Sequence, residues 1–355
     1  MRPRIRSGHS IVHLERGDSV IGSMTYGLGQ SIRDPDAQLL ELNDLLDGRR
    51  TREQIIEQIC RLASVDAPAA HEFFDALVEN GHIEDADART SLTPQEQDRY
   101  SRSAHFYAWI TKHREPSRWH AQEALGAASV TIAGVGGIGG AIAMHLAAAG
   151  IGALRLVDCD SVELSNLNRQ YLFSEADVGA RKVHVAAERL RRVNSDCEIE
   201  AIDTSIDSAQ HAAELLRGAD LFFRAADTPP SMPYWVSDAA LAVGTPWINC
   251  SYAGPVINCC TYVPGKTGCY RCLRRAEREC LVAEGRSQVI SDDPPAFNAA
   301  IGPVVHAAGS LAAYEGIRLL AGLNPRTVGR AWHQNMYDYA HSYAIDVPED
   351  CTHGS

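Results

Sequence analysis

The sequence predicts an α/β protein: a doubly wound sheet with helices on both faces, preceded by a small winged helix-turn-helix domain. Three observations lead there. From Ala128 onward, short apolar runs alternate with stretches of helical period, the pattern of a parallel sheet covered by helices. The stretch "VTIAGVGGIGGAIAMHLAAAG", residues 130–150, reads as a buried strand, a glycine turn and a helix start. Before residue 88, two strand-like stretches precede three short amphipathic segments.

Within that first stretch, "HSIVHLE" and "DSVIGSM" are the strands, and residues 36–46, 51–63 and 67–80 are the helical segments. Leu39, Leu40, Leu45 and Leu46 recur near helical period in the first, Ile55, Ile56, Ile59 and Leu62 in the second, and Phe73, Phe74 and Leu77 in the third. Thr51 with Gln54 predicts a capping box, Pro68 suits a first helical turn, and Gly48 and Gly81 stand where helices stop. Residues 84–106 are polar and contain Pro94, which reads as a linker entering a helix. Further on, the strands fall at 129–133, 153–158, 199–203, 221–225 and 247–249, and the main helices at 137–149, 180–193 and 208–217. "VINCCTYVPG" and "AWHQNMYDY" read as antiparallel strands flanking a helix over 304–320. The expected domains are therefore 1–88, a linker and helix over 89–127, and a large domain over 128–355.

Charge limits the partners. The chain carries a formal net charge of −12, and between Asp34 and Arg89 fourteen Asp and Glu face five Arg and no Lys, a balance of −9. Such a surface repels a phosphate backbone, so no nucleic-acid partner is expected from the winged helix. An edge strand that accepts an extended peptide is the better functional reading, and a small packing domain without ligand is the plain one. The basic start "MRPRIRSGHS" is not followed by an unbroken apolar run, and the longest apolar stretch, 141–157, is interrupted by His145 and Arg155. No membrane partner and a cytoplasmic location are expected. Ten scattered cysteines fit a reducing compartment.

Gly134, Gly136 and Gly139 match G-x-G-x-x-G between strand and helix, with Gly137 beside them at the helix start. Glycine allows the tight turn and close backbone approach, and the helix N-terminus offers free amides to a phosphate. Asp158, at the end of the next strand, is placed to accept bonds from ribose hydroxyls. A nicotinamide dehydrogenase would explain as much. The residues after that strand do not suit hydride transfer: Asp158, Asp160, Asn166, Arg169 and Lys182 succeed one another in "VDCDSVELSNLNRQYLFSEADVGARKV". Two cations and an amide near a nucleotide favour a triphosphate, whose developing charge they stabilise. Asp227, in "FFRAADTPP", falls at the carboxyl edge of the sheet, where it could hold Mg2+ or position the attacked carboxylate. Taken singly, Arg169 and Lys182 could be solvated surface charges and Asp227 a turn cap.

At these residues the sequence resembles the E1-like superfamily, which includes ubiquitin-activating enzymes and the activators of sulfur-carrier proteins for thiamine and molybdopterin synthesis. "GVGGIGG", the block from Val157 to Val183, "AADTPP" and "VPGKTGCYRC" agree with its signature blocks in order and spacing, over roughly 98–340. The resemblance implies ATP-dependent adenylation of a carboxylate with loss of pyrophosphate, on a Rossmann-like sheet, in a homodimer. Asp158 would then hold the ribose, Asn166, Arg169 and Lys182 the phosphates, and Asp227 the Mg2+ and acyl group. "DRYSRS" resembles the family's "RYSRQ", which makes Arg102 an arginine finger for the neighbouring subunit's site. The domain before it resembles the recognition element of enzymes that modify ribosomally made peptide antibiotics (RiPP enzymes). Among these, the sequence is most similar to the microcin C type, which joins AMP to a peptide's C-terminal asparagine. The related pantocin type activates a glutamate side chain and drives ring formation. A short precursor peptide is the expected partner. A leader-binding scaffold without catalysis and an activator of a sulfur carrier are the alternatives.

Cys269 and Cys272 have the C-x-x-C spacing of half a structural zinc site. The family closes it with a second C-x-x-C; here the chain ends "EDCTHGS", offering Cys351 and His353, with Cys280 as a rival ligand. Cys280 reads as loop-borne, and Cys259 and Cys260 follow a strand; none is expected to form a thioester, since free cysteine is more often a small buried hydrophobe. "PGKTG" fails as a phosphate-binding loop because Cys260 occupies the position where its first glycine is needed. No histidine is assigned to catalysis.

Overall fold

The computed structural model describes residues 1–22, 29–110, 117–283, 299–349 and 351–353. The chain divides into two compact units, Met1–Ala124 and Leu125–Ser355.

In the first unit, β1 (Pro3–Ile5) is followed by a three-stranded antiparallel sheet of β2 (Ser10–Leu14), β3 (Asp18–Gly22) and β4 (Gly29–Arg33), in that order. Three helices come next, α1 (Glu41–Leu45), α2 (Arg52–Ala63) and α3 (Ala67–Glu79), and then β5 (Ile83–Asp85) pairs antiparallel with β1. Ile55, Ile56 and Ile59 of α2 and Phe74 and Leu77 of α3 are buried together with Leu42 and Ile11. The α2 capping box forms as expected: the Gln54 amide donates to Thr51 Oγ1 and the Thr51 amide to Gln54 Oε1. The helix expected over 36–46 is shorter. Asp34 accepts from the amides of Gln38 at 2.9 Å and Leu39 at 3.1 Å, and Ala37 turns left-handed at φ 56°, so only Glu41–Leu45 is α-helical. The polar stretch after β5 contains α4 (Pro94–Arg99) and α5 (Ser101–Ile110), which carries an exposed Arg102.

After α6 (His120–Ala127), the second unit is built on β6 (Ser129–Ala133), α7 (Gly137–Ala149), β7 (Ala153–Val157), α8 (Lys182–Val193), β8 (Glu198–Ile202), α9 (Ala209–Leu216) and β9 (Leu221–Arg224). It continues through α10 (Met232–Val243), β10 (Trp247–Ala253), β11 (Val256–Tyr262), α11 (Tyr270–Ala283), α12 (Gly302–Leu320), β12 (Arg330–Asn335) and β13 (Tyr343–Asp346). The strands form one sheet in the order β13-β12-β11-β10-β9-β6-β7-β8. From β8 to β10 neighbours are parallel, and β11 to β13 add antiparallel strands. The chain runs outward from β6 to β8, then returns to β9 and continues the other way, so the order reverses between β6 and β9. That is the point where ligands bind in such sheets.

Alternate side chains of β9 show that both faces are covered. An added Cβ at Gly316 of α12 would meet Phe223 and Leu221, whereas Phe222 packs with Leu216 of α9 and Val236 of α10. Trp247 and Tyr262 stack in the same cluster with ring centroids 4.5 Å apart. Cys280, expected in a loop, is instead an exposed residue of α11. Cys272, Leu273 and Ala276 form the buried stripe of that helix, and charged residues such as Arg275 and Glu279 take its outer face, so helical period extends past the point where the polar sequence suggested a loop. The remainder of the expected loop, 284–298, lies outside the described residues. Among the described residues no helix is long and apolar enough to cross a membrane.

Candidate functional site

The turn after β6 is shaped by two close approaches. Gly134 has φ +88°, and a Cβ there would stand 2.8 Å from the Ala226 nitrogen; a Cβ at Gly139 would stand 1.7 Å from the Gly134 carbonyl oxygen. The turn can therefore lie against the end of β9, and α7 against the turn. Beside them opens a cavity of about 420 Å³ at the carboxyl edge of the sheet. Gly136 and Gly137 line it, bringing the start of α7 to its wall, where amides carry partial positive charge. Gly139 does not line it; its part is to let α7 pack against the turn.

Asp158 follows β7 and is held rigidly. One carboxylate oxygen accepts from the Val135 amide at 2.7 Å and the other from the Asp160 amide at 2.8 Å, leaving lone pairs open to the cavity. Burial pushes its carboxyl above the ordinary value, against the pull of those two amides and of Lys182. Lys182, the first residue of α8, is 6% exposed, and its Nζ lies 2.8 Å from Asp160 Oδ2. Asn166 is buried in the turn between β7 and α8, where its Oδ1 accepts from the Glu163 amide at 3.1 Å. Arg169 donates to the Ser165 carbonyl at 2.8 Å and to Asn168 Oδ1 at 3.0 Å, and its own carbonyl accepts from His306 Nε2 at 3.1 Å. His306 stacks on Tyr171 with ring centroids 4.1 Å apart, which fixes this turn on α12. Asp227 also lines the cavity, from the loop after β9.

Of the residues singled out in the sequence, Gly134, Gly136, Gly137, Asp158, Asp160, Asn166, Arg169, Lys182 and Asp227 all border this one cavity. Arg102 lies in the other unit. Three more residues were not foreseen. Gln170 is buried in the cavity wall with Oε1 lacking a hydrogen-bond partner among the described residues; its place beside Arg169 was the available signal. Tyr252 enters from β10, which runs four residues past its expected end. Arg224, the last residue of β9, is buried and donates to Asn249 Oδ1 at 3.1 Å, close enough to Asp227 to feel its charge.

A second cluster stands at the start of α11. The Cys269 and Cys272 sulfurs are 3.8 Å apart, and His353 Nδ1 lies 3.4 Å from Cys269, 3.6 Å from Cys272 and 3.8 Å from Cys351. All four ligand atoms fall within 4.8 Å of one another. A tetrahedral zinc with bonds of about 2.3 Å to sulfur and about 2.05 Å to nitrogen spaces sulfurs about 3.8 Å apart and sulfur from nitrogen about 3.6 Å. The geometry therefore fits a Cys3His zinc site. Cys280 is not part of the cluster.

Compared with known sequences, residues 100–349, more than half of the chain, match the profile of the ThiF family. The chain belongs to the ThiF family, within the E1-like superfamily. Among curated proteins, this ThiF-family chain is 37% identical over 210 residues to the adenylyltransferase and sulfurtransferase MOCS3 of Bos taurus, covering 58% of the chain and 43% of that protein. It is 33% identical over 207 residues to the sulfur carrier protein ThiS adenylyltransferase of Escherichia coli K12, covering 57% of the chain and 76% of that protein. The chain thus spans less than half the length of the bovine relative. Among solved structures, the complex of Escherichia coli MccB with AMPCPP and MccA superposes with a TM-score of 0.76 at 24% identity, covering 99% of this chain and 98% of that one. This last likeness is one of fold, and it extends over both units.

Proposed function

We propose that this chain is an ATP-dependent adenylyltransferase that activates a carboxylate of a short ribosomally made precursor peptide. The observation that carries the reaction type is the convergence on one cavity of a helix N-terminus, the cations Arg169 and Lys182, and the acids Asp158 and Asp227 from separate strand ends. In this reading Asp158 holds the ribose. Asn166, Arg169, Lys182 and the amides of Gly136 and Gly137 hold the phosphates. Asp227 binds Mg2+ and faces the incoming acyl group. Mg2+, when bound, neutralises triphosphate charge. A carboxylate oxygen attacks the α-phosphorus, the bond to the β,γ-phosphates breaks, and pyrophosphate leaves with the electron pair. The site lowers the barrier by holding the reactants in line and neutralising charge as it develops.

The peptide reading is supported by the first unit. Asn43 seals the outer edge of β2, its Oδ1 accepting from the Ile11 amide at 2.9 Å and its Nδ2 donating to the Ile11 carbonyl at 2.8 Å. Among the described residues β4 pairs only with β3, so its other edge is open to an added strand. We read this unit as a winged helix-turn-helix that docks an extended leader; MccB, which shares the fold over both units, has been solved with MccA. A nitrogen of the peptide then attacks the adenylate and gives up its proton. At the acyl carbon it expels AMP and closes a ring, and at the phosphorus it expels the carboxylate and keeps the nucleotidyl group on the peptide. The products are a peptidyl nucleotide of the microcin C type or a ring of the pantocin type. Activation of a sulfur-carrier protein is the second reading, favoured by the named activity of the Escherichia coli relative. That match covers 57% of the chain and leaves the acidic first unit without a task. A non-catalytic scaffold would have no need of the full set of nucleotide groups.

Zinc in the Cys3His cluster has a structural role here, and the working form is a homodimer in which Arg102 reaches the partner's site. Arg102→Ala is expected to slow peptide-dependent ATP–pyrophosphate exchange by roughly 100-fold, the scale of losing one charge-stabilising group. Mixing it with Lys182→Ala, each impaired alone, restores exchange if the arginine acts between subunits. Full-rate exchange by Arg102→Ala would remove the assigned role.

A further inference from the structure

Tyr252 has a position that neither the phosphate groups nor Asp227 explains. Pairing between β9 and β10 ends at Asn249 opposite Arg224, but β10 continues to Ala253. Its last residues therefore overhang the carboxyl edge, above the cavity. Strand alternation then decides which way the ring points. Cys250 donates to the Ala308 carbonyl of α12 at 3.3 Å, so Tyr252, two residues on, lies on that same face. There it borders the cavity, with the Arg169 guanidinium within hydrogen-bonding reach of its hydroxyl and Asp227 as its other charged neighbour.

We infer that Tyr252 recognises the carboxylate to be adenylated, its hydroxyl donating a hydrogen bond to one carboxylate oxygen while the other attacks the α-phosphorus. The inference rests on the adenylation reading above. The phosphates have their own cations in Arg169 and Lys182, and the hydroxyl stands by Arg169 and Asp227, where the acyl group would enter. A phenol suits the task better than a cation would. It orients the carboxylate without the strong charge pairing that would stabilise the ground state and blunt the nucleophile. Burial and the nearby Asp227 push the Tyr252 hydroxyl above its ordinary value, so it stays protonated and remains a donor at neutral pH.

The test is ATP–pyrophosphate exchange by the full chain and by Tyr252→Phe, which keeps the ring and removes the hydroxyl. The probe is the precursor peptide encoded beside this chain's gene, with peptide and ATP each varied. The expected result is a fall in kcat/KM for the peptide of about 10- to 100-fold, the loss expected for one hydrogen bond to an ionised group. The KM for ATP should stay within about twofold, because the phosphate ligands are intact. A raised KM for ATP with unchanged peptide parameters would overturn the inference, since Tyr252 would then serve only to hold Arg169. Unchanged parameters for both substrates would overturn it too, and the adenylation reading would survive. If the unaltered chain showed no exchange with the peptide, the adenylation reading itself would fall, and the role of Tyr252 with it.

Discussion

Lys182→Ala is expected to lower peptide-dependent pyrophosphate exchange by about 1000-fold, at the upper end of what one electrostatic group contributes. Two effects add. The substitution deletes a cation whose side chain is buried at the start of α8, and it leaves the carboxylates of Asp160 and Asp158 without their neutralising neighbour. An incoming triphosphate would then meet uncompensated negative charge. Lys182 Nζ lies 2.8 Å from Asp160 Oδ2, so a phosphate must compete with an exposed carboxylate for it. An ion pair with one member largely in solvent is worth little, so the exchange of partners costs little. ATP titration calorimetry beside the exchange assay separates binding from chemistry. Exchange within about tenfold of the unaltered chain would exclude Lys182 from the phosphate set.

Cys272→Ser is expected to empty the zinc site and to destabilise the second unit by several kcal/mol. Cys272 is fully buried, and the cluster joins the start of α11 to residues 351–353 near the chain end. Structural zinc contributes folding energy directly, because the site does not exist in the unfolded chain. With roughly 2–4 °C of melting temperature per kcal/mol for a unit of this size, the expected fall is about 10 °C. Zinc analysis of the purified protein should show about one ion per chain before the substitution and close to none after it. A protein isolated without zinc, melting as Cys272→Ser does, would show that the four side chains pack together without a metal.

Much of this was legible in the sequence, and particular residues show where legibility ended. The bounds of β6 and α7 follow from a buried apolar run, a glycine turn and helical period, all of them local signals. The pairing of β1 with β5 joins Ile5 to Ile83, and nothing within either three-residue strand announces a partner so far along the chain. The leucines of residues 36–46 have helical period, yet the Asp34 side chain captures two amides and limits the helix. Here local side-chain capping overrides periodicity. Tyr252 was missed because the strand was expected to end at Asn249, whereas pairing with β11 carries β10 on to Ala253. Many residues of the cavity wall were readable because the stretch from Asp158 to Lys182 keeps family order. Gln170 and Arg224 were not, since a buried amide or guanidinium is recognised only by what surrounds it. Cys269 and Cys272 were plain from C-x-x-C, whereas Cys351 and His353 were named only through the family likeness, because their nearness depends on the whole second unit being folded.

The most direct test of the central claim is the intact mass of the precursor peptide after incubation with the chain, ATP and Mg2+, with pyrophosphate measured in the same reaction. Adenylation of a peptide carboxylate predicts pyrophosphate release together with a gain of one nucleotidyl group, or with the loss of one water if the adenylate closes a ring. A bound peptide of unchanged mass with no pyrophosphate released would contradict the account and leave a leader-binding scaffold. Pyrophosphate release that requires a sulfur-carrier protein in place of the peptide would contradict it in favour of the second reading.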